Sequence, residues 1–249
     1  MKRQAFIQYY KFICVSLVIV IVCAVLNVIQ MYFNTFETSS VLSEGFSKLT
    51  IIVDEGHGGE DGGAVGVTGT LEKDINLNIS KYIKAYFDLT DINCVLTRND
   101  DTLLYNENQA NKKKYYDIRN RYSFCTNIDN PVFVSIHQNK FPVEKYFGLQ
   151  VYYSPNNEQS KIVADNIQNT CVEYIQKNNS RKIKQAQSNI FLLDNLQCPA
   201  VLVECGFLSN ATEEKMLCDT EYQKKIAFCI YKSLMDYLEQ SNQNMNSVQ

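Results

Sequence analysis

Apolar positions along the chain alternate between short continuous runs and longer segments with a helical period. Apolar runs that predict strands cover residues 49–54, 93–98, 131–137, 149–154, 189–194 and 200–205. Apolar side chains spaced three or four residues apart predict helices over residues 72–88, 158–176 and 221–238. Several of the strands are apolar throughout, as in a sheet covered on both faces. The order predicts an α/β fold: a single domain with a twisted, mostly parallel six-stranded sheet and helices on both faces.

The N-terminal part has a different pattern. Residues 12–28 are uncharged and almost wholly apolar, and Lys2, Arg3 and Lys11 precede them. This pattern predicts an N-terminal transmembrane helix that leaves the cations in the cytoplasm and the rest of the chain outside. A cleaved signal peptide is the alternative, although the apolar segment is longer than the usual ~7 to 15 residues. A buried core helix is disfavoured, because no side of this helix is polar enough to face water.

The predicted domain organisation follows from these patterns. Residues 1–34 form a membrane anchor or signal segment, and the polar, Ser/Thr-rich residues 35–48 form a flexible tether. Residues 49–240 form the folded domain. The polar residues 241–249 form a disordered tail.

Charge and cysteine content exclude some classes of function. The chain of 249 residues has 24 Lys and Arg against 27 Asp and Glu, a net charge of -3. Because this leaves no broad basic face for phosphate backbones, nucleic acid is not an expected partner. The nine cysteines include no CxxC pair. We therefore interpret those in the domain as small buried hydrophobic residues rather than a disulfide or zinc framework.

The chain has only two histidines, and both follow strands. His57 lies in the glycine-rich loop after the first strand, and His137 ends the strand 131–137. Each could be a structural hydrogen-bonding residue, but ligands of parallel sheets bind beyond the carboxyl ends of strands. A catalytic zinc commonly takes two His and one carboxylate. The third ligand must be Asp, Glu or Cys. Glu72, which starts the helix returning from the His57 loop, is the candidate; its other interpretation is an acid that stabilises a helix N-terminus.

Glu204 is an acid inside an apolar strand. Because burying an unpaired charge is costly, its presence requires a structural salt bridge or a chemical role. A general base beside a metal-bound water is the chemical role that this position favours. Cys205 is an alternative as a nucleophile, but no third histidine remains to activate it if both histidines bind zinc.

Six ordered segments resemble the Amidase_3 family of zinc-dependent N-acetylmuramoyl-L-alanine amidases. They span about residues 49–240 and read VDEGHGGEDGGAVG, LEKDINLNIS, VLTRNDD, RNRYSFCTN, VFVSIHQN and VLVECGFLSN. The short N-terminal segment and the sequence SIHQNKFP are most similar to the sporulation and germination-specific CwlD branch. One departure is Glu55, where the family commonly has proline.

The resemblance implies a site and a reaction. The metal ligands would be His57, Glu72 and His137, holding one zinc ion (Zn2+) per chain, and the catalytic glutamate would be Glu204. The reaction would be hydrolysis of the amide between N-acetylmuramic acid and L-alanine in peptidoglycan. In the sporulation branch this step prepares muramic-δ-lactam of the spore cortex together with a deacetylase.

The resemblance and the pattern of the N-terminal segment together predict partners and a location. The partners are peptidoglycan glycan strands with stem peptides, the membrane through the N-terminal helix, and an accessory protein. The domain is expected on the extracytoplasmic face, in sporulating cells on the membrane bordering the cortex. Arg98 and the basic loop 177–184 either contact stem-peptide carboxylates or have structural roles. A zinc peptidase acting on stem peptides, or a catalytically silent wall-binding module, are the alternative functions.

Overall fold

The computed structural model describes residues 17–31 and 49–246, and the chain divides into two units, Met1–Gly45 and Phe46–Gln249. In the first unit, residues 17–31 form helix α1, whose apolar side chains are largely exposed. The predicted transmembrane segment 12–28 begins outside the described residues, as does the predicted tether. Among the helices that are described, none combines the length and apolarity needed to cross a membrane.

The second unit is built on one six-stranded sheet with the order β2-β1-β3-β6-β4-β5. Its strands are β1 (Thr50–Glu55), β2 (Asn93–Leu96), β3 (Pro131–Asn139), β4 (Gln150–Tyr153), β5 (Lys184–Gln185) and β6 (Ala200–Phe207). Every neighbouring pair is parallel except β4 with β6. The predicted mostly parallel, six-stranded α/β sheet is therefore confirmed.

Helices cover both faces of the sheet. They are α2 (Glu72–Phe87), a 3₁₀ helix (Glu107–Lys112), α3 (Lys113–Thr126), α4 (Gln159–Tyr174), α5 (Phe191–Asn195), α6 (Ala211–Leu217) and α7 (Thr220–Asn246). Helices α2 and α4 both pack against α7 on one face, whereas α3 packs against α5 on the other. Helix α7 continues past residue 240 to Asn246, and residues 247–249 lie outside the described part of the chain.

The core has two layers because successive strand residues point to opposite faces. Ile52, Phe133 and Leu202 point toward the α3 and α5 side, where they pack with Cys125 and Leu193. The intervening strand residues are buried on the other face. Truncating a fully buried aromatic such as Phe133 would cost about 3–5 kcal/mol.

One predicted strand is wrong. The apolar run at residues 189–194 does not join the sheet, because Phe191–Asn195 form the short helix α5. A short apolar run cannot be assigned by periodicity alone, and one helical turn buries Leu192 and Leu193 as well as a strand would. The edge strand is instead the polar pair Lys184–Gln185, a short edge of the kind that resists pairing with other chains.

Candidate metal centre

Three side chains from separate elements converge at the carboxyl edge of the sheet. His57 lies in the loop after β1, Glu72 is the first residue of α2, and His137 lies in β3. Their ligand atoms are all within 4.8 Å of one another. Glu72 Oε1 is 2.9 Å from His137 Nδ1, and Oε2 is 3.3 Å from His57 Nε2. The carboxylate therefore lies between two imidazoles. The strand that follows β1 along the chain, β2, pairs with it on one side, and β3 pairs with it on the other side. The site lies at this switch in strand order, where ligands of parallel sheets bind.

The His57 imidazole is oriented by Asp61. Nδ1–H donates to Asp61 Oδ2 at 2.9 Å, and Lys114 Nζ donates to the other oxygen of Asp61 at 2.7 Å. This bond orients the ring and turns Nε2 toward Glu72, as carboxylates do for metal-binding histidines. Asp61 is not among the residues predicted from the sequence, although an acid four residues after the histidine in the same loop is an available signal.

Two glycines make the close approach of these side chains feasible. Gly63 has a φ of +69°, and a Cβ there would lie 2.6 Å from Glu72 Oε2 and 2.7 Å from His57 Cδ2. A Cβ on Gly56 would lie 2.3 Å from His137 Cε1. The glycine-rich loop is therefore required by packing around the site, as well as by backbone conformation.

Glu72 is held as an anion. Its oxygens accept hydrogen bonds from the backbone N–H groups of Ala64, at 2.7 Å, and Gln138, at 2.9 Å. Burial alone would raise the pKa of Glu72, but hydrogen bonds and charge from His137 and His57 hold it well below its ordinary value. Its position also places negative charge at the N-terminus of α2, so both interpretations of this residue are compatible with the structure.

Glu204 lies directly beside the two-imidazole cluster. It is paired in register with His137 across β3 and β6, so the two side chains emerge on the same face of the sheet. Its Oε2 is buried and has no hydrogen-bond partner among the described residues, and no ion pair to Glu204 occurs there. Burial raises the pKa of Glu204 to about 7. The structural salt bridge considered from the sequence is therefore not found in the described part of the chain.

Cys205 does not have the surroundings of a nucleophile. The side chain is fully buried, and burial raises the pKa of its thiol well above the ordinary value. A thiol that stays protonated and inaccessible is chemically inert.

A buried ion-pair network supports the loop that carries His57. Arg121 of α3 donates to Asp54 Oδ1 at 2.7 Å and to Asp117 Oδ2 at 2.9 Å. The same guanidinium donates to the backbone oxygens of Glu55, at 2.6 Å, and His57, at 2.8 Å. The network was not predicted, because the helix containing Arg121 was not predicted either.

Arg98 has a structural role in this structure. The side chain is buried and donates to the backbone oxygens of Glu55, Lys73 and Asp100. Its own backbone N–H binds the carboxylate of Glu55, which is fully buried and whose pKa burial raises to about 7. Glu55, which replaces the family's usual proline, is thus hydrogen-bonded to the segment that directly follows β2.

The basic loop 177–184 divides into residues with different surroundings. Arg181 binds the backbone oxygen of Phe147 and the side chain of Gln150, and its guanidinium lies 4.4 Å from the Phe207 ring centroid. These contacts are structural. Lys184, by contrast, lines a cavity of about 670 Å³ that also reaches His57, His137 and Glu204.

Comparison with known proteins identifies the class. Residues 51–236 match the family model N-acetylmuramoyl-L-alanine amidase, Amidase_3. The chain is 35% identical over 189 residues to the germination-specific N-acetylmuramoyl-L-alanine amidase of Bacillus subtilis, covering 75% of this chain and 78% of that protein. The chain therefore belongs to the Amidase_3 family of N-acetylmuramoyl-L-alanine amidases, which cleave the bond between N-acetylmuramic acid and L-alanine in peptidoglycan.

Solved structures give the same class and refine it. The CwlD amidase from Clostridioides difficile, solved in complex with the GerS lipoprotein, is 40% identical with a TM-score of 0.73, covering 76% of this chain and 98% of that one. The amidase AmiC2 of Nostoc punctiforme is 30% identical with a TM-score of 0.67, covering 77% and 98%. The resemblance to the CwlD type is confirmed by these relatives.

Proposed function

We propose that the chain is a zinc-dependent amidase in which His57, Glu72 and His137 hold the metal and Glu204 transfers the proton. The observation that supports this most directly is the convergence of two imidazoles and one carboxylate within 4.8 Å. This donor set is common for a catalytic zinc with an open position. The surroundings also favour a cation, because the carboxylates of Glu72 and Asp61 overcome burial and raise the pKa of His57 to about 9.

Glu204 supplies the proton transfer in this proposal. Zinc bound by the three ligands would lower the pKa of a water molecule and polarise the scissile carbonyl. The unpartnered, buried Oε2 of Glu204 accepts a proton from the attacking water and then returns it to the leaving amine of L-alanine. A pKa near 7 suits a group that must take up and release a proton at neutral pH.

Two matched substitutions separate ligand from base. Glu204→Gln keeps the side-chain shape but removes the basic oxygen, so zinc content should stay near that of the wild type while kcat falls about 10²-fold or more. Glu72→Gln should lose both zinc and activity, because two protein ligands rarely hold a catalytic zinc. Metal analysis and turnover on purified muropeptides measure both. Zinc loss in Glu204→Gln with retention in Glu72→Gln would reverse the two roles.

The zinc peptidase alternative would use the same ligands. Mass spectrometry of digested peptidoglycan distinguishes the two, because an amidase releases intact stem peptides from muramic acid whereas a peptidase shortens the peptides. A catalytically silent binding module is disfavoured, because the three proposed ligands and Glu204 are all present at one site.

We further propose a role in cortex maturation, with the product passing to a deacetylase for muramic-δ-lactam formation. The support is the germination-specific relative of Bacillus subtilis. A strain lacking the chain should form spores whose cortex has no muramic-δ-lactam, and Glu204→Gln should not restore it. Muropeptide analysis of purified cortex measures the lactam, and normal lactam content in the deletion strain would reject this role.

The proposed location is the outer face of a membrane, in sporulating cells the one that borders the cortex. The cations before residue 12 and the exposed apolar side chains of α1 support it. Protease added outside intact protoplasts of vegetative cells that express the chain should remove the domain, and full protection would contradict the topology. A lipoprotein is the proposed accessory partner, since the Clostridioides difficile relative was solved with one. Co-purification of the full chain with a lipoprotein from its own host tests that partner.

A further inference from the structure

The cavity extends well beyond the residues that carry the chemistry. It begins at His57, His137 and Glu204 and continues along the strand β5 and the segment that leads into α5. The lining of this extension includes apolar residues, Ile190 and Leu193 among them. A volume of about 670 Å³ is sufficient for several amino-acid residues of a substrate.

The charged side chains that line the cavity are almost all paired within the protein. Asp54 and Asp117 both bind Arg121, and Asp61 binds Lys114. Lys184 is different, because no ion pair or side-chain hydrogen bond to it occurs among residues 49–246. Lys184 is an exposed residue that lines the same cavity as His57, His137 and Glu204.

The amide side chains next to Lys184 are also free to bind a ligand. Gln185, Gln187 and Asn189 also line the cavity, and within the described domain their side chains make no hydrogen bonds to protein groups. The ammonium group offers only N–H donors, whereas each primary amide offers N–H donors and a carbonyl acceptor. The ammonium group matches a carboxylate, and the amides match the N–H and carbonyl groups of a peptide backbone.

We propose that this cavity is the stem-peptide subsite and that Lys184 Nζ binds a free carboxylate of the peptide, so that Lys184 determines specificity for acidic stem peptides. The inference rests on the proposed function, because the muramic acid–L-alanine amide at Glu204 fixes where the peptide begins. The apolar residues of the lining then receive the aliphatic parts of the peptide. A substrate whose carboxylates are amidated loses the charge-assisted bond to Lys184 but keeps every other contact.

The test compares two substrates and four full-length proteins. One muropeptide has free stem-peptide carboxylates, and the other is the same compound with those carboxylates amidated. The proteins are the wild type, Lys184→Ala, Lys184→Arg and the control Lys182→Ala, whose exposed side chain lies two residues away and outside the cavity lining.

On the acidic muropeptide, Lys184→Ala should reduce kcat/KM by about 5- to 30-fold, the scale of one charge-assisted hydrogen bond. The loss should appear in KM, with kcat nearly unchanged, and should shrink at high salt. On the amidated muropeptide, Lys184→Ala should equal the wild type. Lys184→Arg should recover most of the affinity, and Lys182→Ala should match the wild type on both substrates.

Binding provides a readout that does not depend on turnover. Titration calorimetry with the free stem peptide and Glu204→Gln protein, with and without Lys184→Ala, should give the same 5- to 30-fold difference for the acidic peptide alone. Equal losses on both substrates, or no loss on the acidic one, would overturn the inference. A wild type that cleaves neither muropeptide would instead refute the proposed amidase function.

Discussion

Arg121 offers a direct test of how the site is supported, because it is the single cation between two buried carboxylates. We consider Arg121→Met, which keeps much of the side-chain volume but removes every donor. The variant leaves Asp54 and Asp117 without their partner and removes the bonds to the backbone oxygens of Glu55 and His57.

The expected cost follows from burial. Arg121 and Asp54 each have only 2% of the side chain exposed. Removing one partner of such a pair costs about 3–5 kcal/mol, because an uncompensated charge remains. Since native domains are stable by about 5–15 kcal/mol, the variant should be marginal but able to fold. Arg121→Lys keeps the charge but loses the forked geometry, so its loss should be smaller.

Urea unfolding followed by circular dichroism measures the difference. With a slope of roughly 2 kcal/mol per molar urea, a loss of 3–5 kcal/mol lowers the midpoint by about 2 M. Arg119→Met is the matched control on the same helix. Its exposed guanidinium lies 4.5 Å from the Tyr115 ring centroid, a contact worth about 0.5–1 kcal/mol. If Arg121→Met cost no more than this control, the network would not support the loop as we argue.

Two further predictions concern the same region. Asp61→Asn should lower zinc affinity about 10- to 100-fold with little change in the fold, because it replaces the charged acceptor that orients the proposed ligand His57 with a neutral amide oxygen. Competition with a chelator measures the affinity, and unchanged affinity would exclude that role. Asp54→Asn tests pH dependence. Burial would raise the pKa of Asp54, but the Arg121 guanidinium and hydrogen bonds hold it below its ordinary value of 3.8. A depressed carboxylate pKa stabilises the fold above the unfolded-state value and loses that effect as pH falls through the folded-state value. The difference in unfolding free energy between wild type and Asp54→Asn should therefore be constant from pH 7 to about pH 4 and shrink below, and a difference that shrinks already near pH 6 would contradict the assignment.

The sequence was sufficient to predict that His57, Glu72, His137 and Glu204 lie at one edge of the sheet. His57 and His137 each follow an apolar run, and Glu204 interrupts one, so a parallel sheet necessarily gathers them. Glu72 required one more step, the helix that returns from the first loop. The prediction that the cysteines of the domain are buried also agrees with the structure for most of them, although Cys218 is exposed.

The supporting residues could not be predicted in the same way. Helix α3 has a weak apolar stripe, because Asp117 and Arg121 occupy buried positions that a pattern assigns to apolar residues. Their burial makes sense only once Asp54 is opposite them. The sequence pattern left open whether the basic loop 177–184 contacts the stem peptide or has a structural role, and only the structure shows that Lys184 lines the cavity.

The separation of the ligands along the chain has a consequence for folding kinetics. His137 contacts Glu72 from 65 residues away, and its pairing partner Glu204 lies a further 67 residues along. Contacts between residues so far apart in sequence form slowly, because the chain loses loop-closure entropy before the contacts begin to stabilise it. We therefore expect the side chains of His57, Glu72 and His137 to meet only after β1 and β3 have paired, late in folding. Interactions that form after the folding transition state mainly slow unfolding. A bound metal should therefore lower the unfolding rate of the domain and leave its folding rate nearly unchanged.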